Sequence, residues 1–191
     1  MTGGRLSAPP GAVGQSLVFF ALLLGFLVVP LGVTVLAVNA QRDAVTQLQG
    51  IVQGAAFDAA HALDDTSLVN GGPPRLATLH AGGGTLQMDA ATLSAYSMSA
   101  AQATAEYRAY RDLRRGLAGY GRRIDALAEA ARARITLLQA SDDQPATDPD
   151  GGAPYHHPTV CISADVVVGV LEHEGMAFTH HLHACAQSVA P

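Results

Sequence analysis

Residues 17–38, LVFFALLLGFLVVPLGVTVLAV, form an uncharged apolar run that passes into an amphipathic helical pattern with no turn signal between them. At 1.5 Å per residue a helix of this length reaches about 33 Å, enough to cross the roughly 30 Å hydrocarbon core of a bilayer. The run predicts a single transmembrane helix over 17–38 and a membrane-anchored chain. A cleaved signal peptide is the rival, with Val38-Asn39-Ala40 as its small-residue exit. Against it, the apolar core of a signal peptide is only about 7–15 residues long, and the helical pattern here continues across Ala40. A core helix of a soluble domain fits less well still, since such a helix carries a polar face.

Residues 1–16 are expected to be a short cytoplasmic lead whose charges are Arg5 and the amino terminus, while beyond the run Arg42 is offset by Asp43. That asymmetry leans toward an N-in arrangement. Most of the chain follows the anchor and contains both cysteines, which suits an oxidising compartment, so the C-terminal body is placed outside the cytoplasmic membrane. All basic residues are arginine, the net charge is −5 and there is no tryptophan, so nothing global points to a nucleic-acid partner.

Over 39–66 the positions Val45, Leu48, Val52, Ala55, Ala59 and Ala62 recur at threes and fours, which predicts an amphipathic helix continuing the anchor, with a bend at Pro30. Asn70-Gly71-Gly72-Pro73-Pro74 is expected to stop it, and 67–88 reads as a loop. A second helical segment is predicted over 89–133, capped by Asp89, with Leu93, Tyr96, Ala100, Ala103, Tyr107 and Tyr110 on one face and a break near the glycines of 116–121. Residues 134–191 read as antiparallel strands: Ile135 to Leu138, then 159–171, rich in β-branched residues, and 178–189, with a polar loop over 142–157. The expected class is α+β.

The segments Gly14-Gln15-Ser16-Leu17-Val18-Phe19-Phe20-Ala21-Leu22, then Leu48-Gln49, then Ala55-Ala56-Phe57-Asp58-Ala59-Ala60 resemble the TadE/TadG-like pseudopilins of the tight-adherence (Flp) pilus system. Members of that family look like "GQALVEFAL", an apolar helix and an alanine-rich "LQ…AADAAA" stretch. The resemblance implies a pilin-like α+β fold, a processing site at Gly14 and Gln15, and partners among pilus or secretion-system membrane proteins met through the N-terminal helix. Where pilin-like members carry a glutamate, this chain has Phe19. A buried acid is costly in a bilayer and usually functional, so its absence implies an accessory or minor subunit rather than the main pilin. Lateral packing then falls to small residues, Gly25 and Gly32 beside Pro30.

Among chemistry-bearing residues, Cys161 and Cys185 fall in the last two strand candidates and are expected to form a disulfide; two unpaired buried cysteines are the alternative. On a strand His181, His183 and Cys185 share a face, and two imidazoles with a thiolate are a donor set for zinc or copper. An oxidised Cys185 excludes that use, and a solvated histidine-rich strand is the plainer reading. Asp148-Pro149-Asp150-Gly151 lacks the ligand spacing of a calcium loop and reads as an exposed turn. Arginines between 108 and 134 form a basic patch that interleaved acids can neutralise. The tyrosines at 96, 107, 110 and 120 read as helix packing, and His61 and His80 as isolated. No nucleophile with a partner, phosphate loop or paired carboxylate is visible, so no enzymatic activity, cofactor or small-molecule substrate is expected. The sequence thus leads to a membrane-anchored accessory subunit of a Tad/Flp-type pilus, or alternatively to an exported, anchored metal-binding module built on the C-terminal histidines.

Overall fold

The computed structural model describes residues 12–79, 85–89, 103–120, 129–130, 132–169 and 177–188. The chain divides into two units, Met1–Asp43 and Ala44–Pro191. In the first, a helix α1 that begins at Ala12 and ends in the second unit at Ala60 carries the apolar run. The segment Ser16–Ala60 is long and apolar enough to cross a membrane, and none of its apolar window is buried. Phe19, Phe20, Phe26 and Leu36 are each about two-thirds exposed or more, an arrangement that water penalises and hydrocarbon does not. The helix runs through Pro30 without interruption, and the Thr34 hydroxyl donates to the Pro30 carbonyl at 2.7 Å.

In the second unit the helical stripe is the core. Leu48, Val52, Ala55, Ala59 and Ala62, all expected from the spacing, are buried, together with Ala56 and Ala60. The helix expected over 39–66 stops earlier than its stripe, at Ala60. His61 donates through Nδ1 to the Phe57 carbonyl at 2.8 Å and occupies one of the helix's terminal acceptors. The chain then folds back on itself: Leu63 bridges Leu76, and Asp64 N–H donates to Arg75 O at 2.8 Å. Between them lies a five-residue helix α2, Asp65–Val69, capped by Asp64, which accepts from Thr66 N. The Gly-Gly-Pro-Pro sequence therefore ends α2 rather than α1, with Gly71 at φ 69° supplying the left-handed turn.

Among the described residues four strands form one antiparallel sheet in the order β1-β2-β3-β4: β1 Thr85–Asp89, β2 Arg134–Leu138, β3 Thr159–Gly169 and β4 Ala177–Gln187. The last three match the strands read from the sequence. β1 is a correction, because Thr85 to Met88 fall in the expected loop 67–88 and Asp89 becomes a strand end opposite Arg134 rather than a helix cap. Helix α3, Ala105–Ala118, lies in the second helical segment, and residues 129–130 and 132 are helical as well; Leu93, Tyr96, Ala100 and the stretch 121–128 lie outside the described residues. Gly116, read as part of a helix break, is inside α3, while Gly119 caps it.

One hydrophobic cluster joins Leu48 and Val52 of α1, Leu113 and Leu117 of α3, and alternate sheet residues Ile135, Leu137, Val160, Ile162, Val166 and Leu182. This alternation assigns the sheet's core face. The opposite face carries Thr136, Thr159, Cys161 and Ser163, which are also buried. The segment after β2 is pinned nearby, with Ala146 bridging Tyr155 and Ser188 N–H donating to Pro158 O at 2.8 Å.

Candidate functional site

The polar face of the sheet gathers the residues that bear chemistry. Cys161 and Cys185 are register partners on β3 and β4, with Cα atoms 4.0 Å apart, and they form the expected disulfide. So close a pair is of the kind that exchanges no backbone hydrogen bonds. His183, two residues away, then has the same phase, and its carbonyl points to the open edge of β4. There it accepts a hydrogen bond from Gln49 Nε2 of α1 at 2.7 Å, which blunts an edge that would otherwise template another strand.

The same ladder pairs Ser163 with His183 and Asp165 with His181. His181 and Asp165 are exposed and meet at 2.7 Å, a cross-strand pair of modest value. His183 is directed elsewhere: its Nε2 lies 2.9 Å from Oδ2 of Asp148, whose side chain is only 2% exposed. The turn Asp148-Pro149-Asp150-Gly151 is exposed at Pro149, Asp150 and Gly151, as expected, but it buries Asp148. Asp148 Oδ1 accepts from Asp150 N at 3.3 Å, Gly151 N–H returns to Asp148 O at 3.0 Å, and Gly151 takes φ 100°, a conformation that favours glycine. Asp150 reaches Arg134 at 3.4 Å and lies 3.8 Å from His183 Nδ1.

Asp148, His183 and Cys185 offer ligand atoms that all lie within 4.8 Å of one another. The expected trio of His181, His183 and Cys185 is therefore not the one that the structure assembles. His181 turns to Asp165, and the acid that replaces it comes from a loop 37 residues before Cys185. In the disulfide state Cys185 has neither a proton to donate nor a free thiolate, so its 3.5 Å approach to Asp148 Oδ2 is a contact only. A shallow groove beside these residues is lined by Gly50, Gly54, Phe57, Tyr155 and His183.

A second polar cluster joins α1 to α3. Arg111 lies 2.8 Å from Asp112 and 3.4 Å from Asp58. A side-chain hydrogen bond to Asp112, with some burial, raises the Asp58 carboxyl above its ordinary range. Burial pushes the Asp112 carboxyl up, but the hydrogen bonds from Arg111 and Asp58 outweigh it and hold it low. The two signs oppose each other. The depressed Asp112 adds stability that is present above the ordinary carboxylate range and lost as pH falls through its folded value; the raised Asp58 loses stability on ionising. Asp112→Asn is expected to destabilise at neutral pH, and Asp58→Asn to be neutral or slightly stabilising, both within about 1 kcal/mol. Urea titrations should show both differences fading below the ordinary carboxylate range; an Asp112→Asn effect that persists there would contradict the assignment.

Tyr120 closes the far end of α3: burial raises its phenol, whose hydroxyl lies 3.0 Å from Gln47 Oε1 and 3.3 Å from Ala44 O. Tyr110 is buried and Tyr107 half-buried. His80, Arg122 and Arg123 lie outside the described residues, and Gly14 and Gln15 lie in the first turn of α1. Gly25 and Gly32 have open space where a side chain would be. No family profile, curated protein or solved structure matches the chain.

Proposed function

We propose that this chain is a membrane-anchored, pilin-like accessory or minor subunit in the assembly of a Tad/Flp-type pilus or a related secretion apparatus. The observation that carries the reading is the composition of α1, which is exposed and apolar over its first part and then buries an alanine-rich stripe of Leu48, Val52, Ala55, Ala56, Ala59 and Ala60. The order of Gly14-Gln15, the apolar run, Leu48-Gln49 and Ala55 to Ala60 supports the same family likeness. The Cys161–Cys185 disulfide supports a body outside the cytoplasm with the N-terminus inside.

The mechanism is association. Open space beside Gly25 and Gly32 lets a partner helix approach closely, and packing there replaces the acid that Phe19 displaces. The partners are other pilus or secretion-system membrane proteins.

Fusing a periplasm-active reporter to the C-terminus is expected to give activity, and the chain is expected to stay in the membrane with the residues before Gly14 retained. In sheared pilus fractions it should be a trace component. A cytoplasm-active reporter, a mature terminus at Gln41, or the chain as the dominant sheared species beginning at Gln15 would overturn the corresponding part of the reading.

A further inference from the structure

We infer that Cys161, Cys185, His183 and Asp148 form a redox-gated zinc site, closed as a disulfide and opened to a tetrahedral metal centre by reduction. This inference is independent of the pilus reading, since it concerns only the polar face of the sheet.

The geometry is the first argument. Zinc bonds of about 2.3 Å to sulfur and 2.0–2.1 Å to imidazole or carboxylate place neighbouring corners of a tetrahedron about 3.3–3.6 Å apart, or about 3.8 Å between two sulfurs. Cys185 Sγ lies 3.4 Å from His183 Nε2 and 3.5 Å from Asp148 Oδ2, already at those separations. The imidazole and carboxylate, 2.9 Å apart while they share a proton, need open by only a few tenths of an ångström. The fourth corner is Cys161 Sγ, the disulfide partner, which must recede once the bond is cut.

A second observation comes from His183. Its Nδ1 is buried and has no hydrogen-bond partner. When Nε2 donates to Asp148, Nδ1 is left as a buried lone pair, an arrangement that costs stability. Metal on Nε2 moves the proton to Nδ1, where Asp150 Oδ2, 3.8 Å away, is placed to receive it after a small shift. That is the carboxylate–histidine–zinc arrangement by which an outer acid fixes the ligand tautomer. Asp148 and Cys161 are nearly inaccessible, while His183 and Cys185 are half-buried and border the groove, so the four donors have a buried side and a mouth through which the ion can enter.

The chemistry balances with a dithiol reductant. The dithiol gives two electrons and two protons and becomes a disulfide, while the Cys161–Cys185 bond breaks to two thiols. Zinc then displaces the two thiol protons and binds two thiolates, the neutral imidazole of His183 and the Asp148 carboxylate.

The test uses the untagged full chain in detergent, with cobalt(II) as the probe. After reduction by a phosphine, it is expected to bind one cobalt per chain, with the intense visible bands of a tetrahedral site and a thiolate charge-transfer band; the oxidised chain should show neither. His183→Ala and Asp148→Asn should each weaken binding by more than the roughly 10–100-fold typical of outer-shell changes. His181→Ala should leave it unchanged, because His181 belongs to Asp165. Zinc should also protect both thiols of the reduced chain from alkylation, and His183→Ala should remove that protection while its oxidised form keeps the wild-type circular dichroism. No tetrahedral cobalt spectrum, equal binding by the oxidised chain, equal binding by the His183 variant, or a reduced chain that zinc neither binds nor refolds would each overturn the proposal.

Discussion

Replacing both Cys161 and Cys185 by alanine is expected to lower the free energy of unfolding by about 3.5 kcal/mol, because the loop closed across 24 residues no longer restrains the unfolded chain. The folded state should survive the change. β3 and β4 keep a register of eleven facing pairs, from Thr159 and Gln187 to Gly169 and Ala177, and Gln49 still covers the His183 carbonyl at the edge. Alanine rather than serine avoids placing a polar hydroxyl at position 161, which is 1% exposed, and a new hydrogen-bonding group beside Asp148 and His183 at 185. A shift in melting temperature of roughly 7–14 °C is expected for a chain of this size. The measurement is urea unfolding of the full chain in detergent, wild type oxidised against the double variant. A difference below about 1 kcal/mol would mean that the denatured chain is already confined near this hairpin, and the entropic account would fail.

That result would also locate the stability. The hairpin is held by two separate devices, the ladder and the crosslink, and only the crosslink depends on compartment. A chain retained in a reducing environment keeps its topology but loses about 3.5 kcal/mol of a typical margin of roughly 5–15 kcal/mol, about a quarter to two-thirds of it.

How legible these features were in the sequence depended on the range over which each is determined. The Leu48, Val52, Ala55, Ala59 stripe repeats within one helix, and its burial follows from periodicity alone. Val166, Val167 and Val168 mark β3 by composition in the same local way. β1 has no such mark: Thr85-Leu86-Gln87-Met88-Asp89 is short and mixed, and it becomes a strand because β2 offers an edge to pair with. The helix break read near 116–121 falls where α3 ends, at Ala118 with Gly119 as its cap, but Gly116 lies inside the helix because its glycine answers to a residue far away in the chain. The site failed in composition rather than position. His183 and Cys185 were visible as neighbours on a strand, but Asp148 joins them only through a turn that folds over the sheet, and no spacing rule links 148 to 183. His181 was an equally good candidate by alternation, and only its register partner Asp165 removes it.

Gly116→Ala is expected to destabilise the protein by about 2 kcal/mol, although the same substitution in an ordinary exposed helix interior stabilises by about 1 kcal/mol. The sign is decided by Ile51. A methyl group at 116 would collide with Ile51 Cγ2 and meet Cγ1 at 3.1 Å and Cβ at 3.3 Å, and a β-branched side chain in a helix is held close to one χ1 rotamer, so swinging Cγ2 aside is itself costly and leaves the Cβ contact in place. Since Cβ is fixed to the α1 backbone, relief requires α1 and α3 to separate, and that separation would loosen Leu113 and Leu117 against Leu48 and Val52. Overpacking of this kind costs about 1–3 kcal/mol or more, which outweighs the propensity gain. The Ile51→Ala background supplies the control. Removing Cγ1 and Cγ2 takes away the nearest obstacles, so Gly116→Ala introduced there should become neutral or stabilising, with a coupling energy of about 2 kcal/mol between the two sites. Urea unfolding of the four proteins in the cycle measures it. If Gly116→Ala stabilises in the wild-type background, or costs the same with Ile51 truncated, close helix approach is not the reason for glycine at this position.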